Sequence, residues 1–278
     1  MLGVIDVGGG MRGIYGAGVF DYCIDHDICF DACFGVSAGA ANISSYIAHQ
    51  RGRNHRYYAD YAFRKEYMGF GNMLRTRSYI NLDYIYGTLS NSTGEYPLDY
   101  PAMISSGKRM EIVTTDARTG KPSYFTMEDM RQDHYDPIKA SSCVPVVNQP
   151  YVINGVPYYD GGISDPIPVN RAFRSGCDKA VLILTRPRDE YRRSTNDRRL
   201  ANLLTKRYPR AAFKLANRAL IYNRQLDLAK SYEKRGKLLI VAPKDISGMH
   251  TLTKDRDAME FMYKEGYEDA EKILRFIG

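Results

Sequence analysis

Gly35-Val36-Ser37-Ala38-Gly39 is a G-x-S-x-G stretch, and its residue types suit nucleophilic chemistry. A serine hydroxyl attacks a carbonyl only when a base takes its proton and when donors await the developing oxyanion. Flanking glycines let the chain turn sharply enough to lift Ser37 clear of a sheet, and a helix starting just after it favours negative charge nearby. A small-residue turn packed under a helix would show the same five residues. The candidate bases are Asp160, followed by Gly161-Gly162, and the histidines His26, His49, His55, His134 and His250. Asp-Gly is also a common turn pair. Among the histidines, His250 follows Gly248-Met249 late in the chain, where a triad histidine could sit. Gly8-Gly9-Gly10-Met11-Arg12-Gly13 has two readings. It fits the G-x-G-x-x-G of a dinucleotide site, with Asp31 as the nearest acid for a ribose. It also fits a glycine loop that aims backbone N–H groups at an oxyanion.

The elements that must position these residues follow from hydrophobic pattern and turn chemistry. Leu2–Val7 reads as a buried strand with Asp6 as its one polar intrusion, and Ile14 to His26 as a helix with Ile14, Ala17, Phe20 and Ile24 on one stripe. Phe30–Phe34 is a second strand, and Ala40–Ala48 a helix leaving the serine turn. Residues 52–100, rich in Tyr, Arg and Asn, read as irregular helices and a loop around Asn91–Gly94 that would form a lid or substrate wall. Glu111–Thr115 and Ser123–Thr126 read as strands, and Pro137–Cys143 as a short helix. Asn154-Gly155 signals a hairpin whose second arm delivers Asp160. Ala180–Leu184 and Leu238–Val241 are late strands. Arg198 to Lys234 is mostly helix with a break near Pro209, and Asp255–Phe276 one final amphipathic helix. Strand, helix, strand, helix is the alternation of a parallel α/β sheet.

The 278 residues have 44% hydrophobic content, enough for a sizeable core. No run approaches 18 apolar residues, and no basic, then apolar leader opens the chain, so neither a spanning helix nor a signal peptide is expected. The five cysteines, Cys23, Cys29, Cys33, Cys143 and Cys177, fit no zinc or redox spacing. Four lie in apolar surroundings, which points to a reducing, cytoplasmic compartment. No metal-ligand cluster and no cofactor are expected. The net charge of +7 is uneven: Arg186 to Lys237 carries sixteen Lys and Arg against five Asp and Glu. Arg192, Arg193, Arg198, Arg199, Lys206, Arg207 and Arg210 are interspersed with Leu200, Leu203 and Leu204. Such a segment is either a solvated helical face or a contact with anionic lipid; nucleic acid is not the expected partner.

Three motifs in this order resemble the patatin-like phospholipases: Gly8-Gly9-Gly10-Met11-Arg12-Gly13, Gly35-Val36-Ser37-Ala38-Gly39 and Asp160-Gly161-Gly162. The Ala140–Pro145 stretch and the Pro150–Gly162 hairpin look similar as well. The resemblance covers residues 2 to 185. It implies a three-layer α/β/α domain with a mainly parallel central sheet, residues 1–185 forming the catalytic region. Residues 186–278, a basic helical segment, late strand and terminal helix, would pack on the same domain. It further implies hydrolysis of lipid acyl esters by a Ser37–Asp160 dyad without histidine. Gly8, Gly9, Gly10, Met11 and Arg12 would form the oxyanion loop, and Gly13, Gly35, Gly39, Gly161 and Gly162 would support the motifs. The cysteine environments and the basic segment together lead to the expectation of a cytoplasmic protein peripheral at the inner membrane surface. Two other classes stay open: a lipid-binding or regulatory protein of the same fold, and a nucleotide-dependent oxidoreductase using Gly8–Gly13.

Overall fold

The computed structural model describes residues 1–246 and 248–278. Strand β1 (Leu2–Asp6) leads through a 3-10 turn at Gly10–Gly13 into helix α1 (Ile14–Asp25), then strand β2 (Ala32–Val36) and helix α2 (Ala38–Ile47). Helices α3 (Arg53–Ala59), α4 (Phe70–Thr76) and α5 (Tyr100–Ser105) make up the irregular excursion, together with a 3-10 turn at Tyr61–Phe63 and a π-helical turn at Tyr84–Leu89. Strands β3 (Arg109–Asp116) and β4 (Pro122–Thr126), helix α6 (Asp136–Ser141), and the hairpin β5 (Tyr151–Ile153) and β6 (Val156–Asp160) follow. Helix α7 (Val169–Arg174) and strand β7 (Lys179–Ile183) come next. The chain ends with α8 (Thr195–Leu204), α9 (Pro209–Ala216), α10 (Arg218–Lys234), β8 (Leu238–Val241), α11 (Arg256–Asp269) and α12 (Glu271–Ile277).

All eight strands form one sheet in the order β5-β6-β3-β2-β1-β7-β8, with β4 paired to β3 off this path. The five central strands β3, β2, β1, β7 and β8 run parallel, and the β5–β6 hairpin and β4 are antiparallel additions. Both faces are covered, which is why the strands read as nearly unbroken apolar runs. Val4, Cys33, Val181, Ile183 and Val241 pack on one face among residues of α1, α2 and α11. Ile5, Phe34, Leu182 and Ile240 alternate onto the other face, against Ala172 of α7 and Tyr222, Leu226 and Ala229 of α10. The result is a single α/β domain of three layers, as the sequence leads one to expect.

Four expectations need correction. The terminal segment is two helices broken at Ala270, where α11 stops and α12 begins. The helical stretch expected from Arg198 starts at Thr195, a turn that brings Asp197 inward. Asp31 lies just before β2 and accepts the Leu2 amide hydrogen bond, at the opposite strand end from the glycine loop. In a parallel pair that places it too far away to meet a ribose bound at Gly8–Gly13. Finally, the basic segment is a solvated face only in part: Arg193, Arg198, Arg199, Lys206, Arg207 and Arg210 are exposed. Arg192 and Arg218 turn inward onto the buried Asp197, while Leu203 and Phe213 stand exposed. Cys23, Cys33, Cys143 and Cys177 are buried and unpaired, and Cys29 is exposed. Among the described residues no helix is long and apolar enough to cross a membrane.

Candidate active site

The site is assembled on one edge of β3. Val113 pairs with Val36 of β2 on one side and with Tyr124 of β4 on the other. One residue on, Thr114 pairs with Ser123 of β4 and with Asp160 of β6. A strand has two edges, so β2 and β6 share the edge that β4 does not occupy. They approach it from opposite directions. Their ends meet where β2 stops at Val36 and β6 stops at Asp160, which brings Ser37 and Asp160 together from distant parts of the chain.

Ser37 sits at φ 57°, ψ −130°, a conformation L side chains rarely adopt, directly before α2. Its amide donates to Ser141 Oγ at 2.8 Å, and that hydroxyl donates on to the Val113 carbonyl at 2.6 Å. The strained turn is thus pinned to β3 by a side chain of α6. Gly39 is needed for close packing: a Cβ there would stand 2.2 Å from the Asp6 carbonyl oxygen. Ser37 is 7% exposed and Asp160 9%. The Ser37 hydroxyl interacts with the Asp160 carboxylate, whose Oδ1 also accepts the Gly162 amide at 2.7 Å. Burial raises the Asp160 pKa above the ordinary carboxylate value. The Ser37 hydroxyl, the Gly162 N–H and then Arg218 and Arg192 work in the other direction.

The glycine loop lies beside this pair. Gly8, Gly9 and Gly10 have φ of +61°, +129° and +61°, a run of backbone that three glycines accommodate without strain. Asp6, fully buried at the end of β1, accepts the Gly8 amide on Oδ1 at 2.9 Å and the Asn42 side chain of α2 on Oδ2 at 2.9 Å. Burial pushes this carboxyl up to about 6. Asn42 also donates to the Gly13 carbonyl, so one buried cluster holds both ends of the loop against α2. Gly8 donates to Asp6, and Met11 donates to the Thr251 carbonyl at 2.9 Å. Among the described residues the Gly9 and Gly10 N–H groups meet no protein acceptor. Arg12 is 3% exposed and donates from Nε to the Thr185 carbonyl at 3.2 Å.

Two cavities meet at Ser37. One, of about 70 Å³, is walled mainly by apolar and aromatic side chains, among them Ala41, Tyr58, Met68, Ile80, Leu82 and Ile85. The irregular excursion supplies half of this wall, while the loop around Asn91–Gly94 takes no part in it. The other, of about 230 Å³, is lined by Gly8–Gly10 and Asp160, and by Arg12, Arg186, Arg192 and Arg218. None of the five histidines lines either cavity. His250 is exposed, although its neighbours Thr251 and Leu252 border both. His26 bonds the Tyr22 carbonyl, and His55 pairs with Glu260 at 2.9 Å. Among the described residues no group of acids, cysteines and histidines has the arrangement to hold a metal ion. Sequence reasoning missed Ser141, Asn42, Arg186 and Arg192 as site residues. Asp6 carried a signal, being an acid inside an apolar strand.

Residues 7–173 match the family described as patatin-like phospholipase, and residues 208–278 match a Domain of unknown function (DUF6363). An uncharacterised protein of Escherichia coli K12, YjjU, is 33% identical over 189 residues, covering 66% of this chain and 52% of YjjU. The chain therefore spans about half the length of that relative. The crystal structure of VipD from Legionella pneumophila is similar with a TM-score of 0.52 at 14% identity, over 98% of this chain and 66% of VipD. That likeness speaks to the fold alone.

Proposed function

The chain belongs to the patatin-like phospholipase family, and from that premise we propose that it hydrolyses carboxylic esters of lipids through an acyl-enzyme on Ser37. The observation that carries the proposal is the meeting of Ser37 and Asp160 at the junction of an apolar cavity and a polar one. In this reading the acyl chain occupies the apolar cavity. Asp160 takes the proton of Ser37 Oγ as Oγ bonds to the ester carbonyl carbon. The Gly9 and Gly10 amides, which meet no acceptor among the described residues, receive the oxyanion, with the start of α2 beside it. Met11 is a poorer donor than the sequence motif implies, because its amide is engaged by Thr251. Collapse breaks the bond to the alcohol oxygen, and Asp160 returns the proton to that oxygen. Water then attacks the acyl-enzyme by the same route, releasing the fatty acid and restoring the serine. Labelling with a fluorophosphonate, followed by peptide mapping, tests the assignment: modification at Ser37 supports it, and modification at another serine alone contradicts it.

A base must be ionised to act, and burial raises the Asp160 pKa above its free value of about 3.9. The kcat/KM for a neutral ester is therefore expected to rise with pH through one acid limb, about tenfold per unit below the pKa, and to level off above it. The limb should persist in His250→Ala. A profile flat down to pH 4, or a limb that vanishes with His250, would contradict Asp160 as the base.

Contact with an anionic membrane belongs to the same proposal. Leu203 of α8 is exposed between Arg199 and Lys206 in the chain, and Phe213 of α9 is exposed between Arg210 and Lys214. An apolar side chain amid cations suits an anionic lipid surface, at about 1 kcal/mol per basic residue. Vesicles with anionic lipid should sediment the protein and release it in moderate salt, and Leu203→Asp with Phe213→Asp should abolish sedimentation. Equal binding to neutral vesicles, or no binding to either, would remove the membrane from the proposal.

A further inference from the structure

We propose that the apolar cavity beside Ser37 takes a short acyl group that ends in a carboxylate, and that Arg53 and Tyr67 hold that end. The inference rests on the serine-hydrolase reading and specifies the acyl side of its substrate.

The cavity borders its polar neighbour at Gly10, Val144 and Leu252, which are partly exposed, and is closed at Arg53, Tyr57, Tyr67 and Ile85, which are buried. Helix α2 runs along it: Ala38, Ala41 and Asn42 line the wall, and Ser45 Oγ accepts from Arg53 Nη1 at 3.0 Å. Ser45 stands about 12 Å along the α2 axis from Ser37. Arg53 therefore marks the end remote from the nucleophile. The volume of about 70 Å³ has room for about five to seven water-sized groups. A long fatty chain exceeds it, and the buried inner wall offers such a chain no exit.

Arg53 is 5% exposed, and no carboxylate pairs with it among the described residues. Glu95, whose neighbours Tyr96 and Pro97 touch Arg53, pairs with Arg64 instead. Nε and Nη2 donate to neutral oxygens of Pro97, Tyr57, Ser90 and Tyr96. Nη1 carries two hydrogens and has one acceptor, Ser45 Oγ, so one N–H is left over. Burial lowers the Arg53 pKa, and the groups that act against burial are tyrosines rather than acids. Tyr67, 8% exposed, lines the same cavity, and its hydroxyl has no hydrogen-bond partner among the described residues. Burial, then Tyr86 and Tyr57, raise the Tyr67 pKa, and the Arg53 guanidinium works the other way. The hydroxyl thus stays a donor within the field of Arg53.

The inner end of the cavity therefore presents a cation without a counter-charge and an O–H without an acceptor. An alkyl terminus leaves both unmatched, at a cost. A carboxylate supplies acceptor oxygens and the missing negative charge. A purely structural tie between the excursion and α2 accounts for the contacts of Arg53 with Pro97 and Ser45, but not for the idle Tyr67 hydroxyl.

The test compares 4-nitrophenyl esters, each below its micelle concentration, with the whole chain as enzyme. Mono-4-nitrophenyl adipate and 4-nitrophenyl octanoate carry equal numbers of non-hydrogen atoms beyond the ester carbonyl. Their ratio of kcat/KM therefore reads the terminal carboxylate and not size. The adipate is expected to exceed the octanoate by about tenfold or more, and the dodecanoate to fall below the octanoate by about tenfold or more. Tyr67→Phe removes a hydroxyl that bonds nothing, so the protein should melt as the parent does while the adipate-to-octanoate ratio drops by about tenfold. Arg53→Gln should lower the same ratio at least as far. It also cuts ties to Pro97 and Ser45, so Tyr67→Phe keeps the test decisive where the arginine variant does not fold. Dodecanoate turned over as well as octanoate overturns the closed end. An adipate no better than the octanoate, or a ratio untouched by Tyr67→Phe, overturns the carboxylate. In each of these cases turnover of the octanoate leaves the serine reading standing. If no ester turns over, that reading falls and takes this inference with it.

Discussion

Ser37→Ala is expected to lower ester hydrolysis by about four orders of magnitude or more while the protein melts as the parent does. Oγ is the only atom removed. The hydrogen bonds that hold the turn use the Ser37 amide, with Ser141 and Val113 beyond it, and alanine keeps that amide. The variant loses the bond-forming atom and retains the cavities, so lipid should still bind with a similar dissociation constant. The strained backbone at φ 57° is no easier for alanine than for serine, so no large gain in stability is expected either. Turnover within tenfold of the parent would place the nucleophile elsewhere.

Asp160→Asn should come close to the same loss, for a different reason. The amide oxygen can still accept the Gly162 N–H, so the turn into Gly161-Gly162 keeps its geometry. What disappears is the capacity to take a proton. Without it Ser37 attacks as a neutral hydroxyl, and a loss of about three to four orders of magnitude in kcat is expected. The double variant should be little worse than either single one, since the two groups act as a unit. Near-normal turnover in Asp160→Asn combined with inactivity in His250→Ala would point to a histidine base, although His250 is exposed and lines neither cavity.

Much of this was legible in the sequence because its causes are local. Gly8-Gly9-Gly10 announces a run of backbone at positive φ, and Asn154-Gly155 announces the hairpin that carries Asp160. The central parallel strands β1, β2 and β7 stood out because both faces of the sheet are covered there. Features that depend on distant pairings were not legible. Ser141 reaches the Ser37 amide across residues far apart in the chain, and no spacing signals that contact. The basic segment misled for a related reason. A count of charges along the chain cannot tell which way each guanidinium points, and Asp197 and the cavity turn Arg192 and Arg218 inward. The final helix was overextended because the apolar stripe continues past Ala270 while the backbone does not.

The head-on meeting of β2 and β6 along one edge of β3 makes the site sensitive to error in an all-or-none way. Side chains alternate across a sheet with a period of two, so a slip of β6 by one residue would carry Asp160 to the far face and leave Ser37 without its partner. Half a slip has no structural meaning, and a population of misregistered molecules would be silent rather than sluggish. A preparation holding both forms should show reduced active-site titration at full turnover per titrated site. The β3–β4 turn does not escape this constraint: the Ala117 amide donates to the Pro157 carbonyl of β6 at 2.9 Å, and Arg118 donates to the Gly155 carbonyl of the same hairpin at 2.7 Å. An insertion among residues 117–121 would therefore pull on the strand that delivers Asp160, and the chemistry would be lost from a turn that touches neither cavity.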